Sequence, residues 1–357
     1  MAPPAAAAAS ADLLGLLEAA LPQDSRQALR SSVLPALLDA VAAIAQTLRG
    51  YHSVSAAGTA NPFGDDQLNV DVAAENLIRD ALARCPSVVT ATSEEDPVEK
   101  PVQHLNGASQ HSPEQPSPES SSSAAAAAAS SETYTVAFDP LDGSSIIAPN
   151  WTVGSIVGIW DGRSSLGQSP REKQVASILG FFGPRTTAVV AVRVPGGEPS
   201  CFEVGLTDDG VRTCQVVRSQ VRLTNSIDGV RYFAPANLRA AAESPQYMAL
   251  VSHYIQSKYT LRYSGGLVPD LGHILVKGHG IYVSPTTEAS KAKLRRLFEL
   301  CPVALVMECA GGAAIDTADG VDILQRPLEN ADERGGLACG NLEEIEVAKK
   351  MLLGISK

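Results

Sequence analysis

Apolar side chains recur every three to four residues near the start of the chain, the spacing of one face of a helix. Leu13, Leu14 and Leu17 form one such run, and Val33, Leu37, Val41, Ile44 and Leu48 form another. Two helices are expected over residues 11–50, separated near Pro22. A third is expected over residues 67–83, where Leu68, Val72 and Leu77 share a side and Asp71 and Glu75 stand one turn apart on a common face. Beyond it β-forming runs predict strands at 87–91, 133–138, 155–160 and 187–194. Residues 200–223 read as a hairpin or two, turning at Asp208 to Gly210. The last part mixes helices at 245–257 and 287–300 with strands at 274–276 and 304–308, and closes on a helix from Leu342. Residues 98–131 break the pattern with Pro, Ser, Gln and six consecutive alanines, Ala124 to Ala129, so an unpacked insertion is expected there. A boundary near residue 220 would give two domains, 1–220 and 221–357.

Composition narrows the class. Hydrophobic residues make up 45% of the 357 positions and charged residues 19%, the balance of a globular chain. The formal net charge of −11 and the lack of a dense Lys/Arg run argue against a nucleic-acid partner. The apolar stretch 34–48 is interrupted by Asp39 and Gln46 and falls short of the roughly 18 apolar residues of a spanning helix, so no membrane partner is expected. Six cysteines without a CxxC pair read as reduced thiols of an intracellular protein, and a cytoplasmic location is expected. The first fifty residues carry Asp12, Glu18, Asp24 and Asp39, unlike an acid-poor transit peptide. The final Ile355, Ser356 and Lys357 stop one residue short of the S-K-L address, so that address is absent as the sequence stands; a peroxisome-like organelle or plastid is the alternative compartment.

The chemistry concentrates at Phe138-Asp139-Pro140-Leu141-Asp142-Gly143-Ser144-Ser145. Two carboxylates three apart at a strand end, with the Leu141 carbonyl between them, can aim hard oxygen ligands into one pocket. Gly143, Ser144 and Ser145 add small side chains and backbone amides fit to cradle a phosphate. A bare DxxDG pattern is as often a plain Asx turn. Glu94 and Glu95 follow the strand at 87–91, and by themselves read as a solvated acidic loop. With a multi-metal carboxylate cluster, however, phosphate-monoester hydrolysis gains both charge neutralisation and an activated in-line water. Glu94, Asp139 and Asp142 suit the metals, while Asp71 and Glu95 suit the water. In the run 292–302, Lys293 and Glu299 lie six apart toward opposite ends of a predicted helix, so one can reach a phosphate and the other the metals. The commoner meaning of such a run is an amphipathic basic helix.

Together these three segments resemble the fructose-1,6-bisphosphatase and sedoheptulose-1,7-bisphosphatase family over nearly the whole chain. Residues 63–67, 183–187 and 258–270 are more similar to the sedoheptulose branch. The resemblance implies an α/β fold of the α+β kind, a layered α/β/α/β/α sandwich. It also implies a phosphoric monoester hydrolase that removes the sugar 1-phosphate with two or more Mg²⁺ or Mn²⁺ ions per site. By matching motifs, Glu94, Asp139, the Leu141 carbonyl, Asp142 and Glu299 would hold metal. Asp71 would activate water, with Glu95 beside it. Asp142, Gly143, Ser144 and Ser145 would hold the leaving phosphate; Asn237, Arg262, Tyr263 and Lys293 would hold the sugar and its distal phosphate. The expected partner is a small sugar bisphosphate and the expected assembly a homo-oligomer, dimer or tetramer.

Several departures from the family pattern stand out. Residues 54–61 lack the regulatory cysteine pair of the plastid enzymes, and the nucleotide-binding Thr-Gly-Glu-Leu-Thr stretch of the animal enzymes is missing. Ser284 precedes Pro285 where fructose bisphosphatases carry a tyrosine. His273 and His279 flank a predicted strand without a third ligand at zinc spacing, and Cys301, Cys309, Trp151 and Trp160 read as packing groups. Fructose-1,6-bisphosphatase is the alternative activity. An inositol-type monophosphatase fits less well, because Arg262 and Lys293 suit a second phosphate. An inactive regulatory relative is disfavoured by the full set of carboxylates.

Overall fold

The apolar periodicity near the N-terminus produces a helix at Leu13–Ala20, then a π-helical turn at Leu29–Val33 that runs straight into the helix Leu34–Gly50. These elements belong to a computed structural model that describes residues 13–21, 25–64, 66–105, 132–225, 229–291 and 293–355. The expected break near Pro22 and the alanine run at 124–129 lie outside the described residues.

Strands β1 (Ala56–Ala60), exposed along its length, and β2 (Asp66–Leu68) form a two-stranded ribbon that leads into the helix Asn69–Leu82. The main sheet has eight strands: β3 (Val88–Ser93), β4 (Lys100–Pro101), β5 (Tyr134–Asp142), β6 (Val153–Asp161), β7 (Gln174–Phe182), β8 (Thr186–Val192), β9 (Ser200–Thr207) and β10 (Gly210–Arg218). Their spatial order is β10-β9-β8-β7-β6-β5-β3-β4, antiparallel throughout except for the parallel pair β3–β5. A second sheet of five strands contains β11 (Tyr232–Pro235), β12 (Thr260–Leu261), β13 (Ile281–Ser284), β14 (Ala313–Ile315) and β15 (Leu337–Gly340).

Alternation along the strands builds the layers. On β5, Val136 and Phe138 face the helices Leu34–Gly50 and Asn69–Leu82, while Ala137 faces the opposite way. That opposite face packs on the helices Leu267–Lys277 and Cys301–Cys309. The second sheet turns Ala234, Tyr282 and Cys339 toward the same helices. It turns Phe233, Ile281, Val283 and Ala338 outward, where the helices Pro245–Gln256 and Leu342–Leu353 cover them. Helix, sheet, helix, sheet and helix thus stack with three apolar clusters between them, which is the expected α/β/α/β/α sandwich. The middle contact is close: a Cβ on Gly154 of β6 would stand 2.4 Å from Val268 Cγ1, so only glycine lets the sheet and the helix Leu267–Lys277 approach this far.

Several expectations are overturned. Residues 274–276 and 304–308 are not strands; they lie inside the helices Leu267–Lys277 and Cys301–Cys309, because a short, wholly buried apolar run carries no period to tell helix from strand. His273 and His279 consequently sit in and just after a helix, where both rings pack on Tyr232. The helix expected at 287–300 exists only as the π-turn Arg296–Leu300, and Lys293 lies in non-helical chain before it. The insertion expected at 98–131 is structured at its start. Lys100–Pro101 pairs with β3, the Val102 N–H donates to the Val89 carbonyl, and Val102 packs against the first cluster. The remainder of that insertion, 106–131, lies outside the described residues. The helical stretch Leu29–Gly50 is longer than the apolar run suggested and could cross a bilayer by length and composition, yet Leu29, Val33, Leu34, Leu37, Leu38, Val41 and Ile44 are buried against the sheet.

Candidate active site

Parallel pairing of β3 and β5 places Ser93 opposite Phe138, so the two strands end together. Glu94 and Asp139 therefore emerge side by side, and the Glu94 N–H donates to the Phe138 carbonyl at 3.0 Å. Pro140 interrupts the ladder between Asp139 and Asp142, and the chain turns there. Within the turn, Asp139 Oδ1 accepts from the Leu141 N–H at 3.0 Å, and Ser155 Oγ donates to the Pro140 carbonyl at 2.6 Å. Gly143 follows at φ 92, a left-handed conformation that glycine adopts without strain. Ser144 and Ser145 open the short helix Ser144–Ile147.

The second half of the chain closes this corner. Asp142 accepts from the backbone N–H groups of Leu267, at 3.1 Å, and Val268, at 2.6 Å. Glu299, on the π-turn, accepts from the Arg295 N–H and points into the same space. One carboxylate oxygen from each of Asp139, Asp142 and Glu299 lies within 4.8 Å of the others, and all three residues are buried. Burial is the largest cause of the raised pKa of each; neighbouring carboxylates add to it, Glu94 foremost among them. The Asp142 carboxyl is pushed up to about 7, and those of Asp139 and Glu299 go well above their ordinary range. Three carboxylates so placed cannot all be charged without a cation between them.

Two more carboxylates border the cluster. Asp71 stands in the first turn of the helix Asn69–Leu82, and its Oδ2 accepts from the Leu68 N–H at 2.9 Å. Its other oxygen is buried without a hydrogen-bond partner, and burial followed by the Glu94 charge pushes its pKa up to about 6. Glu95 receives the Gln67 side-chain amide at 2.5 Å, and burial pushes its pKa up to about 7, helped by Asp71, Glu94 and Glu75.

The sequence reading assigned no role to Arg295. It is 1% exposed, its Nε donates to Glu94 Oε1 at 2.9 Å, and its guanidinium lies 3.6 Å from the centre of the Phe63 ring. The i, i+4 relation of Arg295 to Glu299 was the available signal, submerged in a run of basic residues. Asp270 was also missed. It is buried, accepts from the Ser264 N–H at 2.6 Å, and neighbours both Asp142 and Tyr263.

The residues matched to the sugar and distal phosphate are more scattered. Tyr263 is half-exposed on the segment that leads to Asp270, and Gly265 and Gly266 pack on Ile146 of the Ser144–Ile147 turn, which joins that segment to the phosphate corner. Arg262 is exposed, lies 5.8 Å from the Tyr232 ring centre and donates to the Leu261 carbonyl. Asn237, at φ 46, uses its amide to hold the following loop, donating to the carbonyls of Pro285 at 2.7 Å and Ser290 at 2.8 Å. Lys293 is exposed. The structure thus unites Asp71, Glu94, Glu95, Asp139, Asp142 and Glu299, while Asn237 and Arg262 bond within their own half.

Comparison with known proteins accords with this geometry. The chain is 37% identical over 326 residues to the chloroplastic sedoheptulose-1,7-bisphosphatase of Chlamydomonas reinhardtii, a match that spans 91% of this chain and 74% of that relative. It is 33% identical over 302 residues to the class 1 fructose-1,6-bisphosphatase of Syntrophotalea carbinolica, spanning 83% of this chain and 81% of the relative. A crystal structure described as a candidate sedoheptulose-1,7 bisphosphatase from Toxoplasma gondii superposes with a TM-score of 0.80 at 35% identity, over 98% of this chain and all 100% of that one. Leishmania major fructose-1,6-bisphosphatase in its holo form shares the fold, with a TM-score of 0.75 at 21% identity over 96% of this chain and 99% of that one. Residues 16–204 match the model of the fructose-1-6-bisphosphatase N-terminal domain and residues 228–353 that of the C-terminal domain, so the chain belongs to the fructose-1,6-bisphosphatase family.

Proposed function

We propose that this chain hydrolyses sedoheptulose 1,7-bisphosphate to sedoheptulose 7-phosphate and phosphate. The observation that carries the reading is the buried triad Asp139, Asp142 and Glu299 within 4.8 Å. The kinship with sedoheptulose-1,7-bisphosphatases directs the choice of sugar. Membership of the family makes the chain a sugar-bisphosphate phosphatase in either case.

The donor set fits hard divalent cations: every group is an oxygen, no His or Cys takes part among the described residues, and charging the three buried carboxylates together carries a cost that a bound cation would offset. Glu94, Asp139, the Leu141 carbonyl, Asp142 and Glu299 would hold two or more Mg²⁺ or Mn²⁺ ions. Such ions supply charge neutralisation on the phosphoryl oxygens and acidify water. The chain's own residues do the rest. Asp142, Gly143, Ser144 and Ser145 receive the leaving phosphate, while Tyr263 with Arg262, Lys293 and Asn237 faces the sugar and distal phosphate. Asp71, pinned by Leu68 through one oxygen, keeps the other for the attacking water, and Glu95 helps to orient that water. Burial makes both carboxyls more basic than an exposed one, the direction a proton acceptor needs.

Fructose-1,6-bisphosphatase activity is the alternative reading, favoured by the class 1 relatives at 31% to 33% identity. The division into a domain of residues 1–220, carrying most metal ligands, and one of residues 221–357, carrying the sugar contacts, belongs to this reading. So does a homo-oligomeric assembly. A plastid location accords with the chloroplastic relatives better than the cytoplasmic expectation does. The deciding experiment is phosphate release from sedoheptulose 1,7-bisphosphate, fructose 1,6-bisphosphate and inositol monophosphate at saturating Mg²⁺. The reading expects the highest kcat/KM on the seven-carbon bisphosphate and is overturned by turnover of the monophosphate alone.

A further inference from the structure

Glu95 has an awkward position for a residue that must orient water. Three other carboxylates, those of Asp71, Glu94 and Glu75, lie close enough to disfavour its charged form. Among the described residues, a single hydrogen bond holds it in place, from Gln67 Nε2 to Glu95 Oε2 at 2.5 Å. Gln67 is itself fixed from behind: Thr59 Oγ1 donates to Gln67 Oε1 at 2.7 Å, across the ribbon from β1 to β2.

The chemistry of the three groups fixes the direction of this chain. With its Nε2 on Glu95, the Gln67 amide turns its NH₂ toward that carboxyl and its oxygen away. That oxygen only accepts, so the Thr59 hydroxyl must donate to it. The next residue performs the matching task through its backbone, since the Leu68 N–H holds Asp71 Oδ2. Two consecutive residues at the end of β2 therefore hold the two carboxylates that face the water.

We propose that Gln67, backed by the Thr59 hydroxyl, is a positioning residue for hydrolysis that keeps Glu95 oriented toward the attacking water. The proposal rests on the reading of Glu95 given above. Neither Gln67 nor Thr59 belongs to the metal or phosphate groups, and neither is a member of the apolar clusters, so their substitution leaves those clusters intact.

The test is a double-mutant cycle assayed on sedoheptulose and fructose bisphosphates with Mg²⁺ varied. Gln67→Leu is expected to lower kcat about 10- to 100-fold, the usual effect of removing a group that orients a site residue. KM should move less than about threefold, because substrate binding is untouched. The Mg²⁺ half-saturation should stay within about twofold. Thr59→Val should lower kcat in the same direction, and Thr59→Ser, which keeps the hydroxyl, should restore most of that loss. Because Gln67 acts through Glu95, the double variant Gln67→Leu/Glu95→Gln should lie within about twofold of Glu95→Gln alone. If Glu95→Gln keeps a kcat close to wild type, the reading of Glu95 falls and the proposal with it. If Glu95→Gln is inactive but folded Gln67→Leu stays within twofold of wild type, or its loss adds fully to that of Glu95→Gln, the reading stands and the positioning role is overturned.

Discussion

Val268 donates its backbone N–H to Asp142 Oδ2 at 2.6 Å, tying the end of β5 to the start of a helix 126 residues further along the chain. The bond fixes one of the three clustered carboxylates from outside, so its geometry does not depend on a bound ion. Asp142→Asn keeps the shape but removes the charge, and an amide can accept from only one side. The kcat is expected to fall at least about 10³-fold, a loss of roughly 4 kcal/mol of transition-state stabilisation at about 1.4 kcal/mol per tenfold. Circular dichroism should show a folded protein. A folded variant within tenfold of wild type contradicts the assignment.

The raised carboxyl pKa values predict how stability varies with pH. Burial pushes Asp142 and Glu95 up to about 7 and Asp71 to about 6 in the folded chain, against roughly 4 for the unfolded groups. Between those limits the native state holds more protons than the unfolded state, so stability falls as pH rises from about 4 to about 7. Protein freed of metal by a chelator should lose on the order of 5 °C in Tm between pH 5 and pH 7.5, and added Mg²⁺ should recover most of it at the higher pH. Thermal scans across that range with and without Mg²⁺ check this; a Tm that ignores both pH and metal contradicts it.

Activity should require the ion outright. Exhaustive chelation is expected to abolish phosphate release, and Mg²⁺ or Mn²⁺ to restore it, since an all-oxygen site selects hard cations. Undiminished turnover after chelation would remove the metal from the mechanism.

Deletion of residues 107–130, replaced by a short Gly/Ser linker, is expected to leave Tm within about 2 °C, because the sequence there has few large apolar groups to bury. The cut spares Val102, which packs against the first cluster, and Glu132, whose carboxylate accepts from the N–H groups of Ala28 and Leu29. A deletion that also removed Val102 or Glu132 should be measurably less stable.

Redox control should be weak. Five of the six cysteines are buried, Cys214 is half-buried, and none stands between Gly50 and Leu82. Catalytic rate at fixed Mg²⁺ is expected to change less than about twofold between reduced and mildly oxidised enzyme, far below a tenfold step. Strong activation by reductant, lost on one Cys→Ser change, would locate a switch elsewhere in the chain.

The sequence disclosed the acidic centre because its members sit at strand ends and turns, where Asp139, Asp142, Gly143 and Glu94 stand out against apolar neighbours. Helices with one wet face, such as Leu34–Gly50, were legible for the same reason. The middle layer was not. The helices Leu267–Lys277 and Cys301–Cys309 are packed between two sheets, and β7 is covered on both faces, so alternation disappears there. Arg295 and Gln67 do not stand out in the sequence because the carboxylates they bond lie 201 and 28 residues away.

Parallel pairing of β3 and β5 requires the chain to cross over between them, and residues 106–131 lie within that connection. The separation of Glu94 from Asp139 is set by the ladder, whose register puts Ser93 beside Phe138, and not by the length of chain that links them. For a flexible connection, each doubling of length adds only about 0.6 kcal/mol of closure entropy. Polar sequence could therefore accumulate at this point over evolutionary time at almost no thermodynamic expense, its flanks Leu105 and Glu132 held by Ala83 and by the Ala28 and Leu29 amides before β3 and β5 begin, without moving a single oxygen ligand.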